Sequence, residues 1–234
     1  MIEVRLDRDI YDKEGGWFRA RWHYSFDEYR DPKWTQFGSL RVFNDDRLVP
    51  GVAWPMHPHR DIEGLTYVVE GTFRHADNLG GEYRILPAGS AQRMSLGSGS
   101  WHSEQNASDT EPMRFIQMWI MPEELGLEPS VEQKVFTKED RTGRLLRIVS
   151  PEGGDAVLVH QDASVYVSSL PAAASVSHKF GSEYGGYLYL IEGAIRLNGQ
   201  ELQTGDAAKI QGEPEITIEA DRSSEVIMAE VRLD

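Results

Sequence analysis

The sequence predicts an all-β protein made of two tandem jelly-roll modules, β-barrels or sandwiches, with a few short helices. Three observations predict it. Short β-branched and aromatic runs are broken by glycine, proline, asparagine and aspartate at the spacing of an all-β chain. Helix signals are few and short. The chain also repeats itself: Tyr67-Val68-Val69-Glu70-Gly71-Thr72-Phe73-Arg74 matches Tyr189-Leu190-Ile191-Glu192-Gly193-Ala194-Ile195-Arg196 at an offset of 122 residues. Ala88-Gly89-Ser90-Ala91 then matches Thr204-Gly205-Asp206-Ala207 at an offset of 116, so the second copy has lost six residues in the intervening hairpin. A module that closes or double-layers its sheets manages its exposed edges.

The elements follow in order. Leu40-Arg41-Val42-Phe43 reads as a strand that ends in a turn at Asn44-Asp45-Asp46. Leu65-Thr66-Tyr67-Val68-Val69 ends at Glu70-Gly71, and Gly97-Ser98-Gly99 forms a tight turn that sets up the strand after it. Phe115-Ile116-Gln117-Met118-Trp119-Ile120 stops before Met121-Pro122. Pro122 to Gly126 holds a single helical turn, and the connection from there to Phe136 reads as a crossover between the halves. The expected division is residues 1–136 and residues 137–234.

A chain of 234 residues is long enough for each half to bury a core. No run approaches the ~18 apolar residues of a membrane span, and Met1 to Tyr11 alternates charges where a signal peptide would be apolar. These features predict a cytoplasmic protein with no membrane partner. The absence of cysteine excludes disulfides, thiolate metal sites and cysteine nucleophiles. A formal charge of -14, with no dense cluster of lysine and arginine, argues against direct nucleic-acid binding and leaves a protein partner open.

The chemistry concentrates in His57-Pro58-His59 and His102-Ser103-Glu104. Each pair of ligand-type residues stands at i and i+2, which on a strand points both side chains to one face. Two such strands facing each other would make a four-ligand site for iron, nickel, copper, manganese or zinc, with coordination positions left for water, oxygen or substrate. The offset of 122 carries His57 and His59 to Lys179 and Gly181, and leaves His178 one place out of register. Near the counterpart of His102 and Glu104 the second copy offers Ser223, Ser224 and Glu225. One metal site is therefore expected, in the first half. Trp54, Met56, Met94, Trp101 and Met118 are candidates to line an apolar pocket beside it. Arg60 and Glu63 are candidates to orient the ligand histidines, while His23, His75, His160 and His178 read as solvated or core residues.

Gly51, five residues, His57-Pro58-His59, then Glu63 and Gly71 resemble the first motif of the cupin superfamily, with one residue too many before Gly71. Gly81, five residues, Pro87-Ala88-Gly89 resemble the start of the second, but Gln92 stands where the ordinary motif has its histidine. With the later ligands at His102 and Glu104, the pattern resembles the pirin family of two-cupin proteins. Also similar to that family are Tyr29-Arg30-Asp31-Pro32, Phe37-Gly38-Ser39-Leu40-Arg41-Val42, Asn44-Asp45-Asp46, Gly97-Ser98-Gly99 and Gln117-Met118-Trp119. The resemblance implies an N-terminal metal-binding cupin domain and a C-terminal cupin domain without ligands. It implies one mononuclear metal, Fe(II) ahead of Mn, Ni, Co, Cu or Zn, held by His57, His59, His102 and Glu104. It also implies quercetin 2,3-dioxygenase activity on a flavonol-like aromatic with O2, in which Glu104 is the candidate acceptor of the substrate hydroxyl's proton. The eukaryotic branch implies an alternative, a redox-dependent regulatory module that binds a protein partner, and a third reading keeps the metal as a structural staple.

Overall fold

The computed structural model describes residues 1–80 and 85–233 and contains two open β-sandwiches, each a seven-stranded sheet over a four-stranded one. Neither module closes into a barrel, so of the two jelly-roll forms expected, the sandwich is the one found. Gly81 of the second cupin-like motif lies outside the described residues.

In the first module the large sheet runs in the spatial order Ser130–Val135, Ser90–Ser95, Glu63–Glu70, Met113–Ile120, Leu40–Leu48, Phe18–Trp22, Tyr11–Glu14. The small sheet runs His57–His59, Ser100–Asn106, Thr72–Asp77, Ile85–Pro87. The second module repeats both sheets, and its large one is edged by the chain's first strand, Ile2–Arg5, which pairs with Ala207–Gln211. That strand stands where Ser130–Val135 stands in the first module, so the two ends of the first module brace different sheets. The repeat is visible in the pairing, because Tyr67 sits opposite Ala91 and Tyr189 opposite Ala207, the residues that the two offsets equate.

Strand alternation sorts the side chains. Ile116, Met118 and Ile120 point one way, into a core shared with Tyr187, Tyr189 and Ile227 of the other large sheet. Met113 and Phe115 point the other way, into the first sandwich with Leu48, Val68 and Phe73. The second sandwich is filled by Leu188, Leu190, Ile195, Ile216, Ile218 and Met228 among others. Each fully buried aliphatic side chain contributes about 1.5–3 kcal/mol relative to exposure.

Three local expectations give way. Asn44-Asp45-Asp46 is not a turn: the strand runs on from Leu40 to Leu48 with all three polar residues buried. Turn propensity loses here to the sheet ladder, which pairs all three residues on both sides, and Asp45 forms a two-pronged ion pair with Arg114 at 2.9 and 2.6 Å. Pro122 to Gly126 is not helical. The α-helix among the described residues is Lys138–Arg141, opened by a capping box between Thr137 and Asp140. The stretch before Phe136 is not a bare crossover, since Ser130–Val135 pairs along Ser90–Ser95.

Candidate metal centre and its cavity

The two ligand strands are hydrogen-bonded neighbours in the small sheet of the first module, with His57 directly opposite His102. They therefore lie side by side and do not face each other across the sandwich. The result for the side chains is the one the spacing predicts. His102 and Glu104 point inward at 3% and 2% exposure, while Trp101 between the strand's inner residues and solvent is 47% exposed. Gly97 makes this possible: its φ of 24° and its contact with the Leu127 backbone leave no room for a Cβ in the turn that feeds the strand.

Nitrogen atoms of His57, His59 and His102 lie within 4.8 Å of one another, the spacing of a metal-ligand set. Glu104 joins them, with Oε2 4.0 Å from His57 Nε2 and Oε1 3.4 Å from His102 Nδ1. The Pro55 carbonyl can only accept, so His57 Nδ1 carries the proton in their 2.7 Å hydrogen bond, which leaves Nε2 as the ring nitrogen available to a metal. Burial lowers the pKa of His59 to about 4 and of His102 to about 3, helped in each case by neighbouring imidazoles. Both rings are neutral at pH 7. His102 Nε2 and Glu104 Oε2 are buried without any hydrogen-bond partner among the described residues. Buried polar atoms are seldom left this way, and two of them on the residues of one imidazole-carboxylate cluster fit a donor set for a cation.

The cluster opens on a cavity of about 890 Å³. Its walls are aromatic, with Trp22, Phe26, Trp54 and Trp119, and the Trp119 ring stands 4.7 Å from that of His59. Polar groups near the cluster include Asn44 and Asp46, on the strand that was expected to turn, and Gln117, whose amide donates to Glu104 Oε1 at 3.3 Å. Ser25, Asp27, Arg30 and Arg41 also line it, and Arg41 is tethered to the Ser25 carbonyl at 2.7 Å.

Of the apolar candidates, Trp54 and Met56 line the cavity. Met94 and Met118 are core residues of separate clusters, and Trp101 faces outward. Arg60 and Glu63 do not orient the histidines. Arg60 donates to the Ser98 carbonyl, and Glu63 turns toward the module junction, where it meets His160 and Arg93. The orienting group for His57 is the Pro55 carbonyl, which no side-chain pattern announces. His75 is buried against the site, its ring 5.6 Å from His102, and burial lowers its pKa to about 4. Asn44, Asp46, Trp22, Phe26 and Trp119 escape a reading of the sequence because they come from segments that only the fold brings together.

The second module has a different counterpart from the one expected. His178 pairs with Ile216 as His57 pairs with His102, and Leu197 pairs with Ile218 as His75 pairs with Glu104. His178 is therefore in register with His57, and Phe180, Ile216 and Ile218 occupy the other three positions. Ser224 and Glu225 lie on the next strand of the large sheet and are no counterpart of the ligands. The residues at the ligand positions of the second module are therefore not the ones the offset of 122 suggests.

A family model described as Pirin matches residues 3–120, and one described as Quercetinase C-terminal cupin domain matches residues 147–231. The chain is 39% identical over 230 residues to a quercetin 2,3-dioxygenase of Escherichia coli strain K12, with 97% of each protein covered. It is 38% identical over 231 residues to a pirin-like protein of Caulobacter vibrioides, covering 96% of this chain and 99% of that one. Among solved structures, the bacterial pirin YhhW of Escherichia coli in complex with nickel(II) matches over the full length of both chains, with a TM-score of 0.93 and 36% identity.

Proposed function

Because the chain belongs to the pirin family, we propose that it is a mononuclear metal dioxygenase that opens the ring of flavonols or related ring-hydroxylated aromatics with O2. The observation that carries the reading is the pair of buried, unpartnered ligand atoms, His102 Nε2 and Glu104 Oε2, gathered with His57 and His59 at one end of an aromatic-walled cavity. A divalent transition ion held by His57, His59, His102 and Glu104, Fe(II) in our reading, would supply Lewis acidity and access to O2. The relative with nickel(II) bound supports a single ion without choosing the metal.

The chain's own residues do the rest. The neutral imidazoles of His59 and His102 keep their lone pairs available and add no charge, and Glu104 is the one carboxylate of the set. Its carboxylate can accept the proton of a substrate hydroxyl, and the Gln117 amide holds Oε1 in place while it does so. Trp22, Trp54 and Trp119 offer faces on which a planar aromatic can lie, and they exclude water from its ring. Asn44 and Asp46 present polar atoms for the ring's other hydroxyls. The division of labour we infer follows the chain, with metal chemistry in residues 1–136 and support in residues 137–234.

Iron-loaded protein incubated with quercetin under air should bleach the flavonol's long-wavelength absorbance, and His59→Ala should not. No metal-dependent turnover across a panel of flavonols, with iron or with nickel loaded, would overturn the reading.

A further inference from the structure

Strand alternation sends Asn44 and Asp46 into the metal cavity and Asp45 and Arg47 to the opposite face of the same sheet, where the modules meet. There Arg19, Arg47 and Arg114 stand directly opposite one another on three neighbouring strands. Like charges directly opposite across strands destabilise a sheet. With 38 acidic residues against 24 basic ones, a run of three arginines in one row is the reverse of what the composition makes easy. Glu14 and Glu70 stand opposite the two ends of the row, but neither forms an ion pair among the described residues.

The arginines are only partly neutralised. Asp45 takes Nε and Nη2 of Arg114, Asp12 takes Arg19 at 3.0 and 2.7 Å, and Asp7 takes Arg21 at 2.7 Å. Arg21 Nη1 reaches Asp12 at 3.3 Å. Among the described residues, the whole guanidinium of Arg47 and Nη1 of Arg114 have no acceptor, and Arg21 Nε is buried without one. All four arginines line one cavity of about 310 Å³, together with Asp7 and Asp45, whose carboxylates are engaged by Arg21 and Arg114. Its far wall belongs to the second module, with the Tyr189 hydroxyl and the Thr204-Gly205 turn. The cavity is too small for a nucleic-acid backbone to run through, and guanidinium forks suit a tetrahedral oxyanion.

We propose that this junction cavity is a second ligand site, separate from the metal centre, that takes a phosphate group, free or as a small phosphate monoester. Arg47 supplies the uncommitted fork. Arg114, held rigid by Asp45 and Tyr189, supplies a second donor at the buried end.

Phosphorus NMR and calorimetric titration with inorganic phosphate, and in a second arm with glycerol 3-phosphate, test it on metal-free and metal-loaded protein. Saturable binding is expected in both metal states, with no equivalent effect of chloride at equal ionic strength. Tighter binding of the ester than of inorganic phosphate would assign the site to a monoester, and the reverse to the free ion. Arg47 is solvent-exposed, so Arg47→Glu should keep its fold by circular dichroism and bind phosphate roughly tenfold more weakly or worse, while Arg47→Lys retains most of the affinity. If Arg47→Glu melts early, Arg47→Met makes the same comparison. Absence of saturable binding by the unsubstituted protein, equal binding by the Arg47 variants, or binding only when metal is present would each overturn the proposal.

Discussion

Where the first module holds His57, His59, His102 and Glu104, the second holds His178, Phe180, Ile216 and Ile218. The strands around these positions are arranged alike. The interiors are not: among the described residues, 14 buried hydrophobic residues form the second sandwich's core, against two clusters of six and three in the first. The remaining space in the first sandwich goes to imidazoles, carboxylates and a cavity. His178 shows how little separates the two outcomes, since it occupies the His57 position but turns to Glu230 at 3.1 Å and is left without ligand neighbours. A duplicated module keeps its fold whether this face is polar or apolar. The polar copy offers donor atoms at these positions, and the apolar copy offers buried hydrocarbon in their place.

The sharpest way to break this comparison is to remove the chemistry from one copy at a time. Glu104→Gln should lower kcat for flavonol oxidation by about 10²–10⁴-fold, as expected when a general base is lost. It should keep more metal than His57→Ala, as read by elemental analysis. His178→Ala should change neither metal content nor rate. A Glu104→Gln protein that turns over at the original rate would remove Glu104 from the role assigned to it.

The reverse exchange comes next in size. Ile218→Glu sets a carboxylate at the Glu104 position of the second module, where Leu197, Leu202 and Ile216 surround it and no imidazole partner exists. Chemical unfolding should show a loss of about 3–5 kcal/mol, the cost of an uncompensated buried charge. A loss under 1 kcal/mol would mean that water reaches the second sandwich and that the two interiors differ less than their residues suggest.

Much of this contrast was legible in the sequence, and the part that was not has a physical cause. Ligands at i and i+2 report a shared strand face directly, and the matched Glu-Gly turns fixed the pairing of Tyr67 with Ala91 and of Tyr189 with Ala207. The register of His178 was misread because ten residues separate His57 from Tyr67 but eleven separate His178 from Tyr189. A loop absorbs one extra residue at little cost, and no periodicity records it. The burial of Asp45 was hidden for another reason: its partners Arg114 and Tyr189 lie 69 and 144 residues away. The pairing of Ile2–Arg5 with the second module is equally non-local.

The third test concerns the surface where the modules meet. His23 is fully buried there, bonded through Nδ1 to the Tyr187 hydroxyl at 2.8 Å, and burial lowers its pKa to about 3 with help from Arg5. The unfolded chain takes up that proton near the ordinary pKa of about 6.5, before the folded one does. The stability tied to neutral His23 is therefore complete above that value and is lost as pH falls from 6.5 toward 3. Between pH 7 and pH 5, metal-free protein should lose about 2 kcal/mol through this residue, and His23→Phe should lose that much less over the same interval. An unchanged pH slope in the variant would show that the junction admits water to the ring.

The smallest expected effect separates function from stability within the first module itself. Glu104 Oε2 is buried with no donor, and an unsatisfied buried acceptor costs free energy whether or not it serves a purpose. Glu104→Leu gives the position an aliphatic side chain of the kind its counterpart Ile218 already has. Unfolding of metal-free Glu104→Leu should therefore show a gain of about 1 kcal/mol, at the low end of the range because Gln117 loses its acceptor and must turn to the cavity's water. The same variant should show no turnover and a much smaller rise in melting temperature when metal is added, since binding stabilises only a protein that retains its ligands. The opposite result, a metal-free variant less stable than the parent, would make Glu104 a structural group held by His102 and Gln117. The polar interior of the first module would then be a packing solution in its own right, and the metal an addition to it.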